Sequence, residues 1–144
     1  MIFKSKFFNE LTVSELYEIL HSRYEVFTLE QKIYYQDMDG IDRISKHYFI
    51  EDNGKVVAYL RAFPISDDCV KIGRVLTTQR KIGLGRMLME KSLADIKLSF
   101  SCCEIHLDSQ LYAKGFYSLF GFCTASEEFV EAGIPHISMK LEIK

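Results

Sequence analysis

Ile72-Gly73-Arg74-Val75-Leu76-Thr77-Thr78-Gln79-Arg80-Lys81-Ile82-Gly83-Leu84-Gly85-Arg86 runs from a strand through a basic, glycine-containing loop into a helix start. The first N–H groups of a helix have no partner inside it and sit at the positive end of its dipole. Such an end favours a phosphate. Glycines at 83 and 85 let the backbone approach a ligand closely, and Arg80, Lys81 and Arg86 supply counter-charge.

Working outward, the chain before this loop reads as strands. Residues 47–51 and 56–63 flank Asn53-Gly54, a pair suited to the two left-handed positions of a tight hairpin turn. Ser66-Asp67-Asp68 turns the chain into a third strand at 70–77, so three adjacent antiparallel strands are expected. Further upstream, residues 2–8 form a candidate opening strand. Thr12 and Glu15 have the spacing of a capping box, and Leu11 and Leu16 that of a hydrophobic staple. Val13, Leu16, Leu20, Tyr24 and Phe27 follow at helical spacing and are expected to form the apolar face. Residues 25–42 have no clean period and read as helix end, loop and a short second helix.

Downstream, a helix is expected from about Leu84, with Leu84, Met87, Leu88, Ala94 and Leu98 on its inner side. A short strand at 104–107, a helix at 111–119 ended by Gly121, and two strands near 122–130 and 136–143 complete the chain. Glu131-Ala132-Gly133 is the turn between the last two. The expected class is α/β with a mixed sheet, in a single domain spanning 1–144.

Composition limits the function. Of 144 residues, 48% are hydrophobic and 26% charged, a globular balance, and the net charge is −2. With a pI near 6.1 there is no overall basic field for nucleic acid. No apolar run approaches the roughly 20 residues of a membrane helix. The first nine residues carry Lys4 and Lys6 within their apolar stretch and do not read as a signal peptide. Cys69, Cys102, Cys103 and Cys123 form no C-x-x-C pair, and with four scattered histidines they give no metal spacing. Reduced thiols in a cytoplasmic protein are the expectation.

Three phosphate-binding patterns compete for the glycine loop. A P-loop requires G-x-x-x-x-G-K-[ST], which is absent. A dinucleotide fingerprint requires a third glycine where Leu88 stands, and a βαβ unit where antiparallel strands precede the loop. Arg80-x-x-Gly83-x-Gly85 instead resembles the R-x-x-G-x-G/A signature of the GNAT superfamily of N-acetyltransferases. Ala113-Lys114-Gly115-Phe116-Tyr117-Ser118-Leu119-Phe120-Gly121-Phe122 resembles that superfamily's A-x-x-F-Y-x-x-x-G-F segment. Residues 26–31 and Gly133-Ile134-Pro135-His136 are similar to the ElaA-like branch, although Thr28-Leu29 stand where that branch carries valines. The resemblance spans nearly the whole chain.

That resemblance implies the GNAT, or acyl-CoA N-acyltransferase, fold, with a mixed, mostly antiparallel sheet flanked by helices. It implies acetyl-CoA as cosubstrate, no metal, and direct acetyl transfer to an amine of a small molecule, peptide or protein. The fourth and fifth strands would splay and admit the pantetheine arm, with Val75, Leu76 and Thr77 supplying backbone hydrogen bonds. Backbone N–H groups of Arg80, Lys81, Ile82, Gly83, Leu84, Gly85 and Arg86 would hold the pyrophosphate, and Gln110 would lie near the cofactor. Tyr117 would be the general acid that protonates the leaving thiolate. A homodimer is an option carried by resemblance alone.

No general base is assigned, because Glu30, His106, Asp108, Glu128 and His136 all carry suitable groups; His47 is read as ordering the acidic loop. Within the GNAT arrangement, residues 25–42 would wall the acceptor site. They hold five acidic side chains against one lysine, so they are expected to attract cations. A covalent route through Cys123 is the weaker catalytic alternative. From a different class, the alternative is a catalytically silent acyl-CoA-binding sensor or regulatory module.

Overall fold

The computed structural model describes residues 1–80 and 83–143, so the expected phosphate contacts Lys81 and Ile82 lie outside the described residues. Asn53 and Gly54 both take positive φ, 52° and 77°, and close the hairpin between β2 (Lys46–Asp52) and β3 (Lys55–Pro64). Ala132 and Gly133, at 52° and 75°, make the same device between β7 (Phe129–Glu131) and β8 (Ile134–Glu142).

These hairpins sit in one sheet with β1 (Ile2–Phe7), β4 (Cys69–Thr77), β5 (Glu104–Gln110) and β6 (Cys123–Thr124). The strand order is β1-β2-β3-β4-β5-β8-β6, with β7 paired to β8. Every pairing is antiparallel except β4–β5. The class is the expected α/β, with a mixed, mostly antiparallel sheet. The parallel pair is joined by α2 (Leu84–Ser99), the crossover that parallel strands require.

Helices cover both faces, which is why the central strands read as continuous apolar runs. Tyr48, Ile50 and Leu60 pack on one face with Leu88 and Ile96 of α2. Phe49, Val56 and Tyr59 pack on the other with Ile19 of α1 (Val13–Arg23). The capping box forms as expected: Glu15 N donates to Thr12 Oγ1 at 3.0 Å, and Thr12 N donates to Glu15 Oε1 at 2.8 Å.

Both helix faces are rotated from their expected positions. In α1, Val13 is 89% exposed, and the buried stripe runs through Glu15, Ile19, Ser22 and Arg23 to Val26. Polar residues hold core positions there because their partners arrive from elsewhere. Lys4 and Lys6 of β1 reach Glu15 at 2.8 and 2.9 Å. In α2, Met87 and Leu98 are exposed, and the inner stripe is Leu84, Leu88, Ser92 and Ile96, flanked by Met89 and Leu93. Ser92 interrupts the apolar pattern that would have placed it.

After α1 the chain continues as a π-helical stretch, Tyr24–Glu30, then a loop and a 3₁₀ turn, Ile41–Ile44. Past β5, a 3₁₀ turn at Leu111–Ala113 leads into α3 (Lys114–Ser118), and Gly121 reverses the chain at φ 95°.

Candidate functional site

The register of β4 creates the site. It pairs with β5 from Cys69↔Glu104 to Ile72↔Leu107, and the pairing then stops. Beyond that point β4 runs on to Thr77 and β5 to Gln110, each hydrogen-bonded only to its outer neighbour. Opposite Leu60 of β3, β4 carries one extra residue, with Arg74 in the left-handed region at φ 55°. A bulge of this kind bends its strand and increases its twist, and here it turns β4 away from β5.

A cleft of about 600 Å³ fills the gap. Its floor is Gly73, Arg74 and Val75 of β4. One wall comes from the loop after α1, another from Gln110, Tyr117 and His136. The unpaired edge of β4 leads to the start of α2. There Gly83 is the N-cap at φ 75°, and no side chain caps the helix. Exposed strand groups leading to an uncapped helix end suit an extended ligand that terminates in phosphate.

Among the expected contacts, Val75 lines the cleft, while Leu76 is 4% exposed and packs on the α1 side of the sheet. Thr77 accepts from Arg80 through both its carbonyl and its hydroxyl. Arg80 also pairs with Glu30 at 2.6 Å, and Arg86 with Glu90 of its own helix at 2.8 Å. Gln110 reaches across to Gln31, donating from Nε2 at 3.0 Å. Gly85 has a packing role: a Cβ there would meet the Phe116 ring at 3.3 Å and the Thr77 methyl at 3.8 Å.

Tyr117 is 8% exposed and lines the cleft. Burial raises its pKa well above the usual phenol value, with a smaller push from Tyr112. It therefore carries its proton at neutral pH. Its hydroxyl has no hydrogen-bond partner among the described residues.

The acidic loop does not present free charge. Arg23 contacts Asp37 at 2.9 Å, Asp37 contacts Arg74 at 2.9 Å, and Arg74 contacts Asp39 at 3.4 Å. Asp39 contacts Arg61 at 2.7 Å, Arg61 contacts Asp42 at 2.9 Å, and Asp42 returns to Arg23 at 2.6 Å. Three guanidinium and three carboxylate groups alternate in a closed ring. The Arg61 bond, more than any other influence, holds Asp39 well below the usual carboxylate range. Burial opposes ionisation of Asp42, but Arg23 and Arg61 outweigh it and lower its pKa too. The expectation of a cation-attracting wall built on Asp37 and Asp39 is thus corrected: the arginines come from α1, β3 and β4, out of reach of a reading confined to residues 25–42. The helical spacing of Arg23 from Ile19 was the available signal, since a charge on a core stripe needs a buried partner.

His47 anchors the same loop. Its Nε2 donates to the Asp42 carbonyl at 2.9 Å, which leaves Nδ1 to accept from the Tyr59 hydroxyl at 2.6 Å. Burial lowers its pKa, and both nitrogens are committed to structure, as expected. The other titratable candidates separate by position. His106 bonds Glu104 at 2.7 Å and, like Glu128, lies off the cleft. Asp108 lines the cleft, but Lys71 and Ser138 take its two oxygens at 2.9 and 2.7 Å. None of the four cysteines lines the cleft. Among the described residues no cluster suits a metal ion, and no helix is long and apolar enough to cross a membrane.

Comparison with known proteins agrees with this geometry. A model described as an acetyltransferase (GNAT) domain matches residues 12–143. The chain is 43% identical over 145 residues to a UPF0039 protein of Schizosaccharomyces pombe, covering 98% of this chain and 97% of that one. It is 38% identical over 141 residues to protein ElaA of Escherichia coli, covering 94% and 92%. The crystal structure of Escherichia coli ElaA superposes with a TM-score of 0.93 at 35% identity, over 99% of this chain and 100% of that one. An acyl-CoA N-acyltransferase from Pseudomonas aeruginosa gives 0.91 at 34% identity, over 97% and 99%. With the strand pair parting beside an uncapped helix start, and with these likenesses over almost its full length, the chain belongs to the GNAT acetyltransferase family, in its ElaA-like branch.

Proposed function

We propose that this protein is an N-acetyltransferase that moves an acetyl group from acetyl-CoA directly to an amine, and that it works in the cytoplasm. The observation that carries the reading is the opened β4–β5 pair, which exposes backbone groups of β4 along a cleft lined by a buried, protonated Tyr117, with β4 leading on along the chain to the uncapped start of α2. A fold neighbour from Elizabethkingia anophelis, a GNAT family acetyltransferase, was crystallised with acetyl-CoA bound.

The residues present fit that substrate. The free edge of β4 around Val75 offers main-chain groups to a pantetheine arm, and the first N–H groups of α2 offer donors to a pyrophosphate. Acetyl-CoA supplies an activated acyl group whose thioester carbon is open to attack. The cleft brings the amine to that carbon, which gains the entropy advantage of a pre-assembled encounter. Tyr117 keeps its proton until sulfur leaves, because burial disfavours the phenolate. Its hydroxyl then serves as donor to the departing thiolate.

The test is consumption of acetyl-CoA with a mixture of primary alkylamines, amino-acid amides and short peptides. Steady loss of thioester that requires an amine supports the reading. Tight coenzyme A binding without turnover overturns it in favour of a silent acyl-CoA-binding module. Replacement of all four cysteines by serine is expected to leave turnover measurable, since none reaches the cleft. Complete loss in a folded Cys123→Ser protein would revive a covalent route.

A further inference from the structure

We infer that His136 is the general base of the acceptor half of the cleft, an assignment that rests on the N-acetyltransferase reading. An alkylammonium with a pKa of about 10.4 must shed a proton before its nitrogen can attack. A base must therefore face the cleft and hold a free lone pair.

His136 meets these conditions through its backbone position. It lies on β8 opposite Gln110 of β5, at the level where β4 has already parted from β5. Its Nδ1 is 2.7 Å from the Ile134 carbonyl. A carbonyl can only accept, so Nδ1 carries the hydrogen and Nε2 of the neutral ring is left with its lone pair. The ring stacks on Phe129 at 5.9 Å and 24°, which fixes its plane, and the residue is 7% exposed while lining the cleft. The charged groups around it are Glu131 of β7, at 3.8 Å from Nε2, and Asp108 of β5 with its partner Lys71 of β4.

The rival groups are occupied or misplaced. Glu30 is held by Arg80, and Asp108 is saturated by Lys71 and Ser138. His106 and Glu128 lie off the cleft.

The proton balance closes. The ammonium gives one proton to His136 Nε2, and the amine nitrogen forms its bond to the thioester carbon. As the C–S bond breaks, sulfur takes a proton from Tyr117, and the second proton leaving nitrogen restores the phenol through solvent. His136 then releases its proton to solvent. The products are an amide, a thiol and one proton.

The experiment is the pH dependence of turnover in His136→Asn, using the amine of the mixture above that the wild type acetylates fastest. Asparagine's side-chain amide can still donate to the Ile134 carbonyl but cannot accept a proton at neutral pH. Turnover at pH 7 is expected to fall by about 10²-fold, the low end for a lost general base. The deficit should shrink as pH approaches the amine's own pKa, where the free amine forms unaided. Coenzyme A affinity and the thermal midpoint should not move. A deficit of the same size at every pH, or unaltered turnover, overturns the assignment while leaving the acetyltransferase reading in place. If Asn fails to fold, His136→Gln is put through the same profile. A wild type that turns over no amine overturns both.

Discussion

Tyr117 and Glu15 are both buried titratable groups, and burial acts on them with opposite outcomes. Tyr117 has no cationic partner, so desolvation prevails and the phenol stays protonated. Tyr117→Phe is expected to lower turnover by about 10²-fold and leave coenzyme A affinity unchanged, by steady-state kinetics and calorimetry. For Glu15, burial also opposes charge, but Lys4, the Thr12 amide and Lys6 override it and bring the pKa down to about 2. A depressed folded-state pKa stabilises the fold above the unfolded value of about 4.3, and that contribution fades as pH falls toward 2. Glu15→Gln should therefore cost on the order of 2 kcal/mol at pH 7, and the gap to wild type should close below pH 3, as urea denaturation would show. The roles of Thr12 and Glu15 in the cap were legible in the sequence. The two lysines were not, because β1 docks against α1 only in the folded chain.

At the scale of elements, Gly83 and Gly85 look alike in the sequence yet do different things. Gly83 sits at φ 75° with open space where a Cβ would go, whereas a Cβ at Gly85 would meet the Phe116 ring at 3.3 Å. Gly83→Ala should cost about 1 kcal/mol through backbone strain alone. Gly85→Val should cost about 1–3 kcal/mol by overpacking α2 against α3. It should also weaken coenzyme A binding by displacing the helix start. Thermal unfolding and calorimetric titration separate the two. Hairpins were the most legible elements, since Asn53-Gly54 and Ala132-Gly133 encode their turns locally. Helix faces were the least. In α1 and α2 the inner stripe includes Glu15, Arg23 and Ser92, whose burial depends on partners or close packing that no periodicity of apolar residues reveals.

Across the whole molecule, the ring of Arg23, Arg61 and Arg74 with Asp37, Asp39 and Asp42 ties the loop after α1 to β3 and β4. Removing one member strands two buried or half-buried opposite charges. Asp42→Asn should then destabilise by about 3 kcal/mol in urea denaturation. The Asp42→Asn, Arg61→Met pair should cost less than the two single changes added together. The overall fold was legible because strand alternation, turns and the glycine loop each carry local signals in the right order. The ring was not, since it joins residues as far apart as Arg23 and Arg74, and half of its members sit in segments that read as ordinary helix or strand.

A closed alternation of charge also restricts how this protein can diverge. Any single reversal in the ring places one residue between two like neighbours, so the six positions can exchange sign only together. Sequence drift should pass around them and collect at cleft residues without ion partners, such as Thr28, Tyr35 and Tyr112. Relatives that acetylate different acceptors would then share the same charged frame and differ in the neutral lining it holds open.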